Sequence, residues 1–154
     1  MKVKMYIVKG LPGSGKSTLA KELAEKTGAT IYSTDDFWYL LGNGEYAYDP
    51  AMAGAAHLWN QKRVKAALAR GESVIVDNTN LTRQQRAPYL DMINEFGFDG
   101  DVEIVEPTTP WWLAMRDDLK KIDEIARRWA SILADKTIHG VPEEVIARMF
   151  KTWE

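Results

Sequence analysis

The stretch Gly10-Leu11-Pro12-Gly13-Ser14-Gly15-Lys16-Ser17 fits the pattern G-x-x-x-x-G-K-[ST]. Nothing else in the chain restricts the fold as much, because that pattern functions only between a strand and a helix. Both flanks comply. An apolar run from Val3 ends as continuous Met5-Tyr6-Ile7-Val8, and Leu19, Ala20, Leu23 and Ala24 follow at helical spacing. Glycines let such a loop curl so that successive N–H groups point inward at phosphate oxygens. The N-terminus of the next helix adds partial positive charge at the same place. The expected nucleotide contacts are Gly13, Ser14, Gly15, Lys16, Ser17 and Thr18. Lys16 would reach the β- and γ-phosphates of ATP, and the Ser17 hydroxyl would ligate Mg²⁺. Pro12 lacks an N–H, so it shapes the loop without donating. The loop predicts nucleoside triphosphate binding and leaves the fate of the γ-phosphate open.

A helix is expected from about Lys16 to Thr27, with Gly28 as its stop. Ala29 to Ser33 reads as a second strand ending at Thr34-Asp35-Asp36, and Phe37 to Leu41 as a helical turn broken by Gly42-Asn43-Gly44. Tyr46, Tyr48 and Asp49 fall in a loop closing at Pro50. A long helix from about Pro50 to Arg70 follows. Its polar centre, with His57, Asn60, Gln61, Lys62 and Arg63, interrupts the apolar pattern, so one face is not plain core.

Ser73 to Val76 is a third buried strand delivering Asp77. Thr82 and Gln85 can form a capping box, and Pro88 lies deep enough in that helix to predict a kink or restart. Val102 to Val105 is a fourth strand. From Trp111 to about Ala134 the period is helical, and Pro142-Glu143-Glu144 opens a last helix.

Strands alternating with helices argue for an α/β fold with a parallel sheet of about four strands. Ligands in such folds sit at the carboxyl ends of the strands. The P-loop, the Asp35-Asp36 pair and Asp77 should therefore converge on one crevice.

Composition bears on partners. A length of 154 residues suits one domain spanning 1–154, and 45% hydrophobic with 27% charged residues is ordinary for a globular chain. The absence of cysteine excludes disulfides and suits a cytosolic, cytoplasmic setting; with only two histidines a transition-metal site is disfavoured. No apolar signal run or membrane-length stretch is read, so no membrane partner is expected. A net charge of −2 leaves no general basic footprint, so a polyanionic substrate must be held by local charge.

Phosphoryl transfer needs metal, an acceptor-activating carboxylate and positive charge at the transition state. Asp77 reads either as the carboxylate holding Mg²⁺ or as a helix cap after a strand. Asp35 and Asp36 read either as acceptor-activating acids or as caps of the short helix, and both roles can hold. Cations at Arg116, Lys120, Lys121, Arg127 and Arg128 read either as a transition-state lid or as a solvated face with i,i+4 ion pairs. Trp111 and Trp112 could stack a nucleobase but fit a helix core better. His57 reads as a helix-surface or core residue and His139 as a turn element beside Gly140.

Five segments in order, Pro12-Gly13-Ser14-Gly15-Lys16-Ser17-Thr18, Ser33-Thr34-Asp35-Asp36-Phe37, Asp77-Asn78-Thr79-Asn80-Leu81, Glu106-Pro107 with Pro110-Trp111, and His139-Gly140-Val141-Pro142, make the chain resemble the phage-type polynucleotide 5′-kinases and their P-loop kinase relatives. The resemblance implies a P-loop kinase-like three-layer sandwich with a helical lid over about residues 111–141. It also implies transfer of the ATP γ-phosphate to a hydroxyl, typically the 5′-OH end of DNA or RNA. Lys16 and Ser17 would serve the phosphates and Mg²⁺, and Asp35 would be the general base. Asp36, Thr79 and Asn80 would line the acceptor site. Trp38 stands where relatives often carry an acceptor-binding Arg, and would contact the acceptor by stacking. Lys136 stands where they carry a lid Arg, which makes Lys136 and Arg128 the candidate lid cations. A P-loop kinase of a small-molecule hydroxyl is the alternative, favoured by the net charge and by Trp38. A nucleotide switch is a third reading, although no Asn-Lys-x-Asp guanine-reading motif is present.

Overall fold

The computed structural model describes residues 3–97, 101–108, 113 and 123–151. Its centre is strand β1 (Met5–Val8), flanked in parallel by β3 (Val74–Asp77) and β4 (Val102–Val105). Strand β2 (Thr30–Tyr32) pairs in parallel with β3, giving the order β2-β3-β1-β4. Every residue of β1 is buried, as its unbroken apolar sequence requires of a strand covered on both faces.

The alternation of side chains assigns each to one of two cores. Met5 and Ile7, with Val74 and Val76, pack against Val64, Ala67 and Leu68 of α3 (Ala53–Ala69) and Tyr89, Met92 and Ile93 of α4 (Arg83–Phe96). Tyr6, Val8 and Ile75 face the other way, onto Ala20 and its neighbours in α1 (Lys16–Thr27). The result is the expected three-layer arrangement, helices on both faces of a four-strand parallel sheet. Full burial of a side chain such as Ile7 or Leu68 contributes ~1.5–3 kcal/mol. A third apolar cluster joins Leu11 and Leu81, just beyond the ends of β1 and β3, to Ala130 and Leu133 of α5 (Asp123–Lys136) and Ile146 of α6 (Glu143–Lys151). It fastens α5 and α6 to the flank of the P-loop.

Helix α1 occupies the expected bounds and ends at Gly28, whose φ of 76° is the left-handed cap that glycine takes without steric cost. Helix α2 (Asp35–Leu41) starts earlier than expected: Thr34 is the flanking residue, and both acids lie in its first turn, where the helix dipole favours negative charge. The long helix opens as a 3-10 turn (Pro50–Met52), with the Asp49 carboxylate accepting from the Ala51 amide at 3.0 Å. The capping box forms as expected, Thr82 Oγ1 accepting from the Gln85 amide at 3.1 Å. Helix α4 nevertheless continues through Pro88 without a restart. The capping box and the burial of Tyr89, Met92 and Ile93 offset the one N–H that Pro88 cannot donate to Gln84. Among the described residues no helix is long and apolar enough to cross a membrane.

Restoring the missing donor should stabilise the fold. Pro88→Ala is expected to raise the unfolding free energy by about 1–3 kcal/mol in urea denaturation; an unchanged or lower midpoint would show that α4 is adapted to proline here.

Candidate active site

The carboxyl edge of the sheet carries the site. The P-loop begins where β1 ends and is hooked to both neighbouring strands: the Lys9 amide donates to Val105 O at 2.8 Å and the Gly10 amide to Thr79 O at 3.0 Å. Two glycines then act differently. Gly13 has φ 82°, and a Cβ there would lie 2.5 Å from the Leu133 carbonyl oxygen, so the end of α5 rests directly on the loop. Gly15 has φ 98° with nothing within 4 Å of its Cβ direction, leaving open space above the first turn of α1. No side chain caps that turn. The Ser14 hydroxyl, just before that turn, is wholly buried and has no partner among the described residues.

Burial pushes the Lys16 ammonium below its ordinary value, against the pull of Asp77 and Asp35. Burial likewise pushes the Asp77 carboxyl up; Lys16 opposes this, and Asp35 and Asp36 add to it. An orphaned hydroxyl, uncapped amides and a desolvated ammonium form a donor set that fits a triphosphate. Among the described residues no group of three or more His, Asp or Glu could cage a metal alone. Ser17 and Asp77 fit Mg²⁺ of the kind that takes its remaining ligands from phosphates and water.

The three sequence segments expected to converge do so electrostatically: Asp35 acts on both Lys16 and Asp77. A network under the sheet edge holds Asp35 there. Asn78 Oδ1 accepts from the Thr34 amide at 2.9 Å, and Asn78 Nδ2 donates to the Tyr89 hydroxyl at 3.4 Å. Buried Asn60 donates to the same hydroxyl at 3.2 Å. Arg63 donates to Asn60 Oδ1 at 2.8 Å, to Ser33 O at 3.1 Å and to Asp36 Oδ2 at 2.9 Å, with its guanidinium 3.9 Å from the Trp59 ring centre. Asn60 and Arg63 are thus the reason for the polar interruption in the long helix. Sequence reading noticed it without finding Asn78 or Tyr89 as partners.

Above the base, both carboxylate oxygens of Asp35 meet donors. The Tyr46 hydroxyl lies 3.5 Å from Oδ1, and His139 Nε2 lies 3.4 Å from Oδ2. The Tyr46 and His139 rings are stacked, with centres 4.0 Å apart and planes 8° from parallel. Burial pushes the Tyr46 phenol well above its ordinary value, with Asp35 adding to the shift, so it stays a donor. His139 occupies the expected turn beside Gly140, and its ring also reaches Asp35. His57 sits on the surface of α3 with Nδ1 3.5 Å from Thr34 Oγ1; burial lowers its pKa and Asp35 opposes this.

Two expected acceptor contacts are corrected by geometry. Trp38 is 3% exposed, its ring set edge-on to Phe37 at 5.1 Å and Tyr48 at 5.0 Å. Its carbonyl accepts from the Gly42 and Ala47 amides. It anchors the loop and has no free face for stacking. Asn80 is 2% exposed with φ 49°, and its Nδ2 donates to Val8 O at 2.8 Å and Val76 O at 3.3 Å. Its Nδ2 is spent tying two strand ends together. Thr79 is half-buried beside the P-loop, and Asp36 is exposed and paired with Arg63. Lys136 ends α5, its Cβ 3.2 Å from where a Gly13 Cβ would be, close to the phosphate loop. Arg128 falls on α5, with its side chain outside the described residues; Arg116, Lys120, Lys121, Trp111 and Trp112 lie outside them altogether.

The raised Asp77 pKa has a consequence for stability. The folded state favours the protonated carboxyl, so this contribution is intact below the ordinary value of 3.8 and lost as pH rises through the folded value. Without nucleotide, Asp77→Asn is expected to melt above wild type at pH 7, the two converging at and below about pH 4. Thermal melts across that range check it; a lower Asn melting point at pH 7 would contradict the assignment.

The AAA domain family matches this chain over residues 5–152. NEDD4-binding protein 2 of Homo sapiens is 39% identical over 152 residues, covering 97% of this chain and 8% of that protein. The chain spans 30% or less of the length of the curated relatives it matches. Among solved structures, the Pnkp1/Rnl/Hen1 RNA repair complex superposes with TM-score 0.64 at 21% identity, over 98% of this chain and 44% of that one. A sugar kinase from Janibacter sp. HTCC2649 superposes with TM-score 0.58 at 20% identity, over 99% and 78%. Likenesses at that identity speak to fold, and the fold is that of the P-loop kinases. With the family match running almost end to end, this chain belongs to the AAA domain family.

Proposed function

We propose that this chain is an ATP-dependent kinase that moves the γ-phosphate to a hydroxyl, most readily the 5′-OH end of DNA or RNA. What supports the reading is proximity: Asp77 and Asp35 both act on the Lys16 charge at the donor loop, and the Asp35 carboxylate is itself held by Tyr46 and His139. A loop that only held nucleotide would need no second carboxylate there.

In this reading Gly13, Ser14, Gly15, Lys16, Ser17 and Thr18 hold the phosphates, and Ser17 with Asp77 holds Mg²⁺. The metal, when bound, neutralises charge on the β- and γ-oxygens. Asp35 accepts the proton as the hydroxyl oxygen bonds to the γ-phosphorus, and the bond from that phosphorus to the β-bridging oxygen breaks to leave ADP. Lys136, whose Cβ lies beside Gly13, and Arg128, earlier on the same helix, serve as the lid cations in this reading. With Trp38 buried, Asp36 and Thr79 and the rim near Tyr39 and Tyr46 are left to meet the acceptor. The absence of cysteine suits a cytosolic setting.

The likeness to a nucleic-acid repair complex supports a polynucleotide acceptor. A small-molecule hydroxyl is the second reading, supported by the net charge of −2, by two acids at the acceptor mouth, and by the sugar-kinase likeness.

Incubation with γ-labelled ATP and 5′-hydroxyl DNA and RNA oligonucleotides separates the readings. Label is expected on oligonucleotide ends, falling by about 10²–10⁴-fold in Asp35→Asn and vanishing in Lys16→Ala. Oligonucleotides left unlabelled while a sugar or nucleoside takes label would replace the first reading with the second.

A further inference from the structure

The turn after α5 carries a residue that the proposed chemistry has not yet used. We propose that His139 is a positioning residue for Asp35, presenting a donor to its carboxylate from a segment that also rests on the P-loop. The inference depends on Asp35 being the base, and its test separates the two.

The turn is built to present that ring. Thr137 Oγ1 donates to Ala134 O at 3.1 Å and accepts from the Val141 amide at 3.0 Å, bracing the segment on both sides of His139. Gly140, at φ 62°, permits the reversal in between. The imidazole is then clamped between loop and helix. Tyr46 stacks on its face at 4.0 Å, and Tyr39 of α2 meets it edge-on at 5.8 Å. Its side chain keeps only 19% of its exposure. What the clamp leaves directed is Nε2, 3.4 Å from Asp35 Oδ2.

A separation of 3.4 Å is long for a hydrogen bond, and catalytic contacts of this kind tighten when substrate is present. The Tyr46 hydroxyl occupies the other oxygen. With both oxygens supported, the carboxylate keeps one orientation and still has lone pairs for an acceptor hydroxyl. Either the Nε2–H tautomer or the imidazolium serves as the donor.

His139 also connects the two halves of the site. The helix preceding it ends against Gly13, where the Leu133 carbonyl and Lys136 Cβ abut the loop. The same stretch therefore touches the donor cradle at one end and the proposed base at the other. The remaining groups acting on Asp35 come from other elements: Lys16 at the start of α1, Asp77 from β3 and His57 from α3. None of those carries a hydrogen bond to its carboxylate among the described contacts.

The test uses two substitutions that split donor from ring. His139→Gln keeps an N–H donor at similar reach and removes the ring, whereas His139→Phe keeps the stack on Tyr46 and removes the donor. Steady-state kinetics are run on the best acceptor of the labelling panel, with Asp35→Asn in parallel and thermal melts on each variant. His139→Phe is expected to lower kcat by roughly 10- to 100-fold with the KM for ATP little changed, while folding as well as wild type. His139→Gln is expected to recover most of that kcat. Full activity in the Phe variant, or loss in the Gln variant matching loss of folding, overturns the inference and makes His139 a packing residue. If Asp35→Asn itself stays active, the base assignment falls, and this inference with it.

Discussion

The desolvated ammonium of Lys16 is the interaction around which the carboxyl edge of this sheet is arranged. Burial pushes its pKa down, and Asp77 and Asp35 are the groups that oppose this. Asp77 is in the mirror-image position, pushed towards its neutral form by burial and held back by Lys16. Lys16 is the counter-charge for both carboxylates, which disfavour each other's ionisation, and bringing three such groups together costs stability. A fold that bears this cost in the same place where amides, an unpartnered Ser14 hydroxyl and a left-handed Gly15 gather is organised for a polyanion.

Holding those charges in place takes more structure than the charged residues themselves. Asn80 stitches β1 to β3 from below the crevice, and Arg86 in turn donates to the Asn80 and Leu81 carbonyls at 2.8 and 3.0 Å. Asn78 fixes the start of α2, and the chain Asn78–Tyr89–Asn60–Arg63 carries that constraint to the face of α3. In a parallel sheet the strand ends have no hairpins to restrain them. Side-chain amides do that job here, and the reacting groups inherit their precision from it.

Much of this was legible in the sequence because it is local. The P-loop, the bounds of α1 and β4, and the Thr82–Gln85 box depend on residues within a few positions of one another, and the alternation of elements dictated the layers. The failures are non-local. Trp38 was expected at the acceptor because it stands where the resembled kinases often carry an Arg, and only the folded loop back to Tyr48 buries it. Asn80 carried the chemistry of a ligand-binding amide but spends it on strand carbonyls distant in sequence. His139 and Tyr46 are far apart in the chain, and no periodicity connects them; their stack exists because the turn after α5 returns to the end of α2. The signal that could have found the network was the buried Asn in the middle of α3, since a buried amide requires partners.

The central claim is that donor and acceptor share one crevice with Asp35 between them. A crystal structure with Mg²⁺, a non-hydrolysable ATP analogue and a short 5′-hydroxyl oligonucleotide measures this directly. The account predicts the 5′ oxygen about 2.6–3.2 Å from an Asp35 carboxylate oxygen and in line with the γ-phosphorus. An acceptor oxygen seated elsewhere, with Asp35 facing only Tyr46 and His139, would contradict it.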